Sequence, residues 1–273
     1  MDVLNDALLW LNDPLNWTGP SGVLALTGAH LRVSFLAVLL AAVVALPVGV
    51  WLGHRGRGAV LGVLVANTTR ALPTLALLTL LAASGLFGNT ATVLACAVFA
   101  VPPLLSGAVT GLSEVDADVR DAARGVGMSS TRRLWVVELP LAVPQLAAGL
   151  RTGAVQVLAT VPLAALVGGT SLGSIVVTGF GLQRYGQVVA GGVLVAGLCL
   201  AVEGLLALVQ RAVTPAGLRS LAASERPDAR SRRGRRSAVN ASAGTSSDPA
   251  AAAARADVPV DAAEAAGSNG PRS

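Results

Sequence analysis

Long stretches without charge alternate with short polar blocks along this chain, and that alternation predicts its elements. Residues 33–53, "VSFLAVLLAAVVALPVGVWLG", form the first apolar run. No charged residue occurs from Ala71 to Ser113 or from 152 to 183, and between Gly186 and Val213 the acid Glu203 precedes only Arg211. A membrane helix takes about 20 mostly apolar residues at about 1.5 Å rise each. The 71–113 run holds two passes if the chain turns at "SGLFGN", residues 84–89, so that a second span begins near Gly58 and a third near Asn89. A fourth starts near Pro140 and a fifth near Gly186. The expectation is an all-α polytopic membrane protein of about five spans.

The basic residues orient those spans. Cytoplasmic loops carry the excess of Lys and Arg. Arg55 and Arg57 flank the first loop, Arg120, Arg124, Arg132 and Arg133 fill the block before the fourth span, and most of the remainder lie in the tail. The turn at 84–89 has none, and the first 29 residues carry Asp2, Asp6 and Asp13 without an arginine. One arrangement satisfies all of these, with the N-terminus outside and the C-terminus cytoplasmic in the plasma membrane. The acidic start does not read as a cleavable signal. Three regions follow: an outer segment over 1–29 with Trp10 and Trp17 at the headgroup level, a transmembrane domain over 30–218, and a cytoplasmic tail over 219–273. The tail's Arg, Ser, Ala, Asp and Gly cannot bury enough apolar area to order it.

Composition then removes function classes. Hydrophobic residues make up 53% and charged ones 13%, with mean hydropathy +0.66, against about 25% charged in soluble domains. All 20 basic residues are arginines, so no phosphate loop with its lysine can be built, and the chain is not read as an enzyme. Cys96 and Cys199 lie in separate apolar runs, and His30 and His54 stand at opposite ends of the first span, so no metal set is expected and no cofactor. The tail cluster from Arg226 to Arg236 reads as a topogenic or lipid-facing signal rather than a nucleic-acid surface.

The charged block "DAARGVGMSSTRRLWVVELP", residues 121–140, falls on the cytoplasmic side. Small alanines Ala122 and Ala123 sit beside acids and arginines, Gly125 and Gly127 permit a sharp turn, Ser129 or Ser130 suits a helix cap, and Pro140 fits the first turn of the next span. A helix, turn, helix projecting from the membrane is expected, with the form of a docking surface. The block resembles the EAA loop of the inner-membrane permease subunits of binding-protein-dependent ABC importers. In that family Glu-Ala-Ala is followed after three residues by Gly, and nine further residues lead to an aliphatic residue, any residue, Leu and Pro. Here Asp121, Ala122 and Ala123 lead to Gly127, and then to Val137, Leu139 and Pro140, with Asp121 in place of the usual Glu. The stretches "HLRVSFLAVLLAAVVALPVGVWLG", "ANTTRALPTLALLTLL" and "ATVPLAALVGGTSLGSIVVTGF" are similar to the osmoprotectant branch, which imports glycine betaine, carnitine, choline or proline.

The resemblance implies a type I importer permease fold and a coupling role for those seven residues. It also implies a separate cytoplasmic ATPase, an extracytoplasmic binding protein and a second permease copy or sister permease. Methionine and other amino-acid importers share small-residue helices and remain an alternative branch. On the substrate path, Asn67, Arg70 and Pro73 of "NTTRALPT" are candidates at a helix break; Arg70 either faces the pore or snorkels to an interface. The chain is 3% aromatic with one tyrosine, too few for a cation cage, which leaves selectivity to the binding protein. "LVGGTSLGS", 166–174, reads as a tight re-entrant turn. Glu203 would be the single intramembrane acid of a proton-coupled transporter, where paired acids and repeats are expected; a structural partner is the other reading. A membrane scaffold would need no polar pore positions.

Overall fold

The computed structural model describes residues 3–56, 64 and 73–213 of the chain, all within one compact unit, Met1–Pro215. Among the described residues the regular elements are helical. In chain order they are α1 (Val3–Asn12), a 3-10 turn at Pro14–Asn16, α2 (Val23–Arg55), α3 (Thr74–Ala83), α4 (Gly88–Ser113), α5 (Ala117–Gly125) and α6 (Ser130–Arg133). A π-helical turn over Leu134–Glu138 leads into α7 (Leu139–Thr160), followed by a 3-10 segment at Val161–Val167, α8 (Gly173–Gly181) and α9 (Tyr185–Val213).

Among the described residues, four stretches are long and apolar enough to cross a membrane: Val23–Arg55, Gly88–Ser113, Ser130–Val167 and Tyr185–Val213. The shorter apolar Thr74–Ala83 is the described part of the expected second span; most of its start near Gly58 lies outside the described residues. The turn between the second and third spans falls where expected, with Gly85 at φ +92° and Gly88 at φ +65°. The first span is longer than the 33–53 read from hydropathy. At 33 residues, α2 is about 50 Å long, beyond the roughly 30 Å hydrocarbon core. Arg32 does not interrupt it, because arginine is a good helix former and its side chain is exposed. What ends it is Gly56, left-handed at φ +64°, whose N–H closes on the carbonyls of Leu52 and Gly53.

Small residues set the packing. Val33, Ala37, Ala41, Ala45, Gly49 and Gly53 recur at four-residue steps and are buried on one face of α2. They press against α4, so closely that a Cβ on Gly49 would stand 2.6 Å from that of Ala108, and one on Gly53 2.8 Å from that of Leu112. On its other side α4 meets α7, where a Cβ on Gly107 would lie 2.8 Å from the Cα of Gly149. In lipid, apolar side chains gain little by leaving one apolar medium for another, so close backbone approach carries helix association. α4 is therefore the central helix, held between α2 and α7.

The N-terminal segment is tied to this body. The Trp17 indole donates to the Leu11 carbonyl at 2.7 Å, and Trp10 and Trp17 pack on Val23, Leu26, Leu172 and Ile175. A Cβ on Gly186 would meet that of Asp6 at 2.5 Å, which puts α1 directly on α9. Beyond α7 the 3-10 segment ends at Gly168, left-handed at φ +77°. Asn89 at the start of α4 clasps it, its Oδ1 accepting from the Thr170 N–H at 2.8 Å and its Nδ2 donating to the Thr170 hydroxyl at 3.0 Å.

Candidate coupling loop and its anchor

The block singled out in the sequence folds as two helices around a turn. Asp116 caps α5 by accepting from the Asp118 N–H at 2.9 Å. The helix runs to Gly125, which stays helical; the left-handed residue is Gly127, at φ +78°. Of the two glycines expected to shape the turn, one does so. Gly125 is still inside the ladder, while Gly127 donates to the Arg124 carbonyl at 2.9 Å and Met128 to that of Ala123 at 3.1 Å, which closes the helix end. Ser129 then caps α6, accepting from the Arg132 N–H.

The second helix is not a separate piece. α6 passes through the π-helical turn into α7 with no intervening loop. Leu139 donates back five residues to the Leu134 carbonyl, and Pro140 has no N–H with which to continue the ordinary α spacing. The loop's second helix and the span are one continuous helical rod.

Glu138 anchors that rod. Its side chain is fully buried. Oε1 accepts from Arg133 Nε at 2.8 Å, Oε2 accepts from His54 Nδ1 at 2.5 Å, and Arg120 Nε lies 4.0 Å away. Each partner comes from a different place: His54 from the end of α2, Arg120 from α5, Arg133 from α6. Arg120 also donates to the Leu112 carbonyl at the end of α4, and His54 Nε2 is 2.7 Å from the Ser130 hydroxyl. One carboxylate thus joins α2, α4, α5 and the root of α7. A buried charge is costly unless paired and hydrogen-bonded, and here both oxygens are engaged.

The sequence reading missed this anchor, treating His54 as a bystander and Glu138 as the free position of the motif. The available signal was an acid at the loop-to-span junction, facing the same side as a histidine that ends the first span.

The other sequence candidates divide. Asp121 and Ala122 are exposed and Ala123 is buried, so the expected smooth alanine surface is half turned inward. Asp121 is engaged by Arg124 at 2.7 Å on the surface. Val137 and Leu139 are half-buried and Pro140 exposed at the rod's root, near Glu138. Val126, Trp135 and Val136 are exposed at 74%, 68% and 58%. Pro73 precedes α3 as its cap residue, whereas Asn67 and Arg70 lie outside the described residues. Glu203 has a partner that the sequence reading did not name: Arg151 of α7 donates to it, and to Gln210 at 3.2 Å. Among the described residues no group of three His, Cys, Asp or Glu is placed to hold a metal.

Residues 45–215 match the family described as binding-protein-dependent transport system inner membrane component. The glycine betaine/carnitine/choline transport system permease protein of Bacillus subtilis (strain 168) is 34% identical over 197 residues, covering 71% of this chain and 90% of the relative. The choline transport system permease protein of the same organism is 32% identical with the same coverage. Among solved structures, chains of the MetNI methionine ABC transporter in inward-facing conformations superpose with TM-scores of 0.60 and 0.62 at 24% and 21% identity. They cover 69% and 71% of this chain and 94% and 96% of theirs, a likeness of fold.

Proposed function

Because this chain belongs to the binding-protein-dependent transport system inner membrane components, we propose that it forms the pathway of an ATP-driven importer for small osmoprotectants of the glycine betaine, choline, carnitine or proline type. It is a multi-pass membrane permease and not an enzyme, and its family works with an ATP-binding subunit and a substrate-binding protein. The osmoprotectant reading draws on the names of the Bacillus subtilis relatives; the methionine importer shares the fold at lower identity. In this reading the N-terminus faces outward, and the C-terminus and the 121–140 loop face the cytoplasm. A second permease, identical or sister, completes the pore.

The observation that carries the mechanism is the unbroken rod from α6 into α7, anchored at Glu138. The ATPase would receive Asp121, Ala122, Ala123 and the Gly127 turn in a surface groove, with Val137, Leu139 and Pro140 as the root that passes the motion on. Closure of the ATPase dimer on ATP pulls the loop; because α6 and α7 are continuous, the pull moves the span. A two-state element biased from both ends is what coupling requires. Glu203, already paired with Arg151, is poorly placed to serve as a free proton carrier, which weighs against a proton-coupled transporter.

The test is uptake of radiolabelled glycine betaine, choline, carnitine and proline by cells expressing this chain with its neighbouring subunits, beside co-purification of the ATPase. ATP-dependent uptake of one or more of the four, lost on removal of the ATPase, is expected. Uptake of methionine alone would replace the substrate reading.

A further inference from the structure

The outer end of α7 breaks at a proline, and the group that repairs the break comes from another helix. In an α-helix the carbonyl of residue 158 takes its hydrogen from the N–H of residue 162. Val161 still donates to the Val157 carbonyl, but residue 162 is proline and has no hydrogen to give. The Leu158 carbonyl would be left unpaired in a buried place. His30 of α2 fills the gap, its Nε2 3.0 Å from that oxygen. A carbonyl only accepts, so Nε2 must carry the proton.

Two observations give this bond weight. His30 is fully buried, and it has nothing else to hold: its Nδ1 and the Ser34 hydroxyl one turn further along α2 have no hydrogen-bond partner among the described residues. The ring is placed by packing and by one bond. Second, the outer turn rests on the break. A Cβ on Gly173 would collide with the Pro162 backbone, Ser171 and Leu172 are buried, and Thr170 is clasped by Asn89 of α4. The direction in which the chain leaves α7 therefore decides where the whole 168–173 turn sits between α4 and α8.

We propose that His30 is a positioning residue of the importer, supplying to Leu158 the hydrogen bond that Pro162 cannot and so latching the outer end of α7 to α2. A backbone bond inside α7 would hold the bend whatever α2 did. A bond between helices holds it only while α2 and α7 keep this separation, so movement of α7 at its inner end can release the outer turn. The transport consequence rests on the importer reading above; the bond itself does not.

The test is a cycle of variants in the assembled importer. His30→Leu removes the donor, His30→Gln keeps one, and Pro162→Ala restores a backbone N–H at the position where helix geometry wants it. His30→Leu is expected to lower the initial uptake rate about tenfold, the order of effect of one unpaired buried carbonyl, and to lower the unfolding temperature of the purified permease by about 3 °C. His30→Gln should recover most of both. The double variant His30→Leu/Pro162→Ala should match Pro162→Ala alone, because the imidazole is redundant once residue 162 can donate.

Losses in His30→Leu that Pro162→Ala and His30→Gln leave untouched would make His30 a packing residue and overturn the latch; so would no loss at all. If His30→Leu does not assemble, the amount of assembled protein is compared across the same cycle, and recovery by Pro162→Ala is again required. Thermal unfolding needs no substrate, so a wild type that imports none of the four osmoprotectants refutes the substrate reading while the unfolding cycle still decides the latch.

Discussion

The two ends of α7 are held by opposite chemistry. At the inner end the helix continues without a break into α6, and Glu138 is fixed by His54 and Arg133 with Arg120 nearby. At the outer end the helix stops at Thr160, two residues before Pro162, and is held by an imidazole-to-carbonyl bond and by the Asn89–Thr170 clasp, neither of them an ion pair. Buried charge pairs are expensive to separate, since each ion left behind lacks both partner and water. Neutral hydrogen bonds exchange at much lower cost. The end proposed to receive the pull is therefore stiff, and the end proposed to move is breakable. A lever built the other way round would absorb the motion before transmitting it.

The largest effect should come from removing the charge at the stiff end. Glu138→Gln leaves Arg133 and Arg120 beside each other without a counter-charge, and breaking a buried ionic set in this way costs about 3–5 kcal/mol. Loss of most of the protein from the membrane fraction, or a fall of more than 6 °C in unfolding temperature, is expected. A well-folded Glu138→Gln with normal uptake would show that the π-helical junction holds itself. Replacing Asn89 with Ala, at the breakable end, should cost about 1–2 kcal/mol for two lost hydrogen bonds and leave the protein folded.

Next comes the turn. Gly127 has open space around a would-be Cβ, so only its backbone angle, φ +78°, opposes substitution. Gly127→Val should cost about 1–2 kcal/mol, too little to unfold the protein, yet it should reset the direction of α6 and cut uptake at least tenfold in our reading of the loop. Gly127→Asn, which tolerates the left-handed region, should retain more. Equal uptake in all three proteins would remove the turn from coupling.

How much of this was legible beforehand depends on sequence separation. Runs without charge located four of the five expected spans among the described residues, and the glycines of "SGLFGN" located the turn before α4, because both signals are local. Gly125 and Gly127 looked alike in the sequence; only the point at which the helix ladder closes distinguishes them. His54 meets Glu138 across 84 residues and Arg151 meets Glu203 across 52, and no periodicity encodes a contact between helices. Hydropathy placed the start of the first span at 33, ten residues late, because an exposed Arg32 lowers the score of a helix that its neighbours already sustain. The Leu158 orphan was readable in principle from "TVP", since a proline at the end of an α-helix leaves the carbonyl four residues back without its donor, but which side chain answers it was not.

Asp121 gives the smallest effect on stability and the sharpest separation of folding from docking. Its pair with Arg124 is exposed at 66% and 59%, and surface pairs contribute about 0–1 kcal/mol. Asp121→Ala should therefore shift the unfolding temperature by about 2 °C at most. If the carboxylate faces the ATPase, the same variant should retain less of that subunit when the permease is pulled down from gently solubilised membranes. Arg124→Ala separates the two roles further. It breaks the same surface pair but leaves the acid free, so retention that falls only in Asp121→Ala assigns the carboxylate to the partner. Retention that falls equally in both assigns the pair to holding α5 in shape, and retention unchanged in both moves the docking contact to exposed apolar side chains of the block such as Val126, Trp135 and Val136.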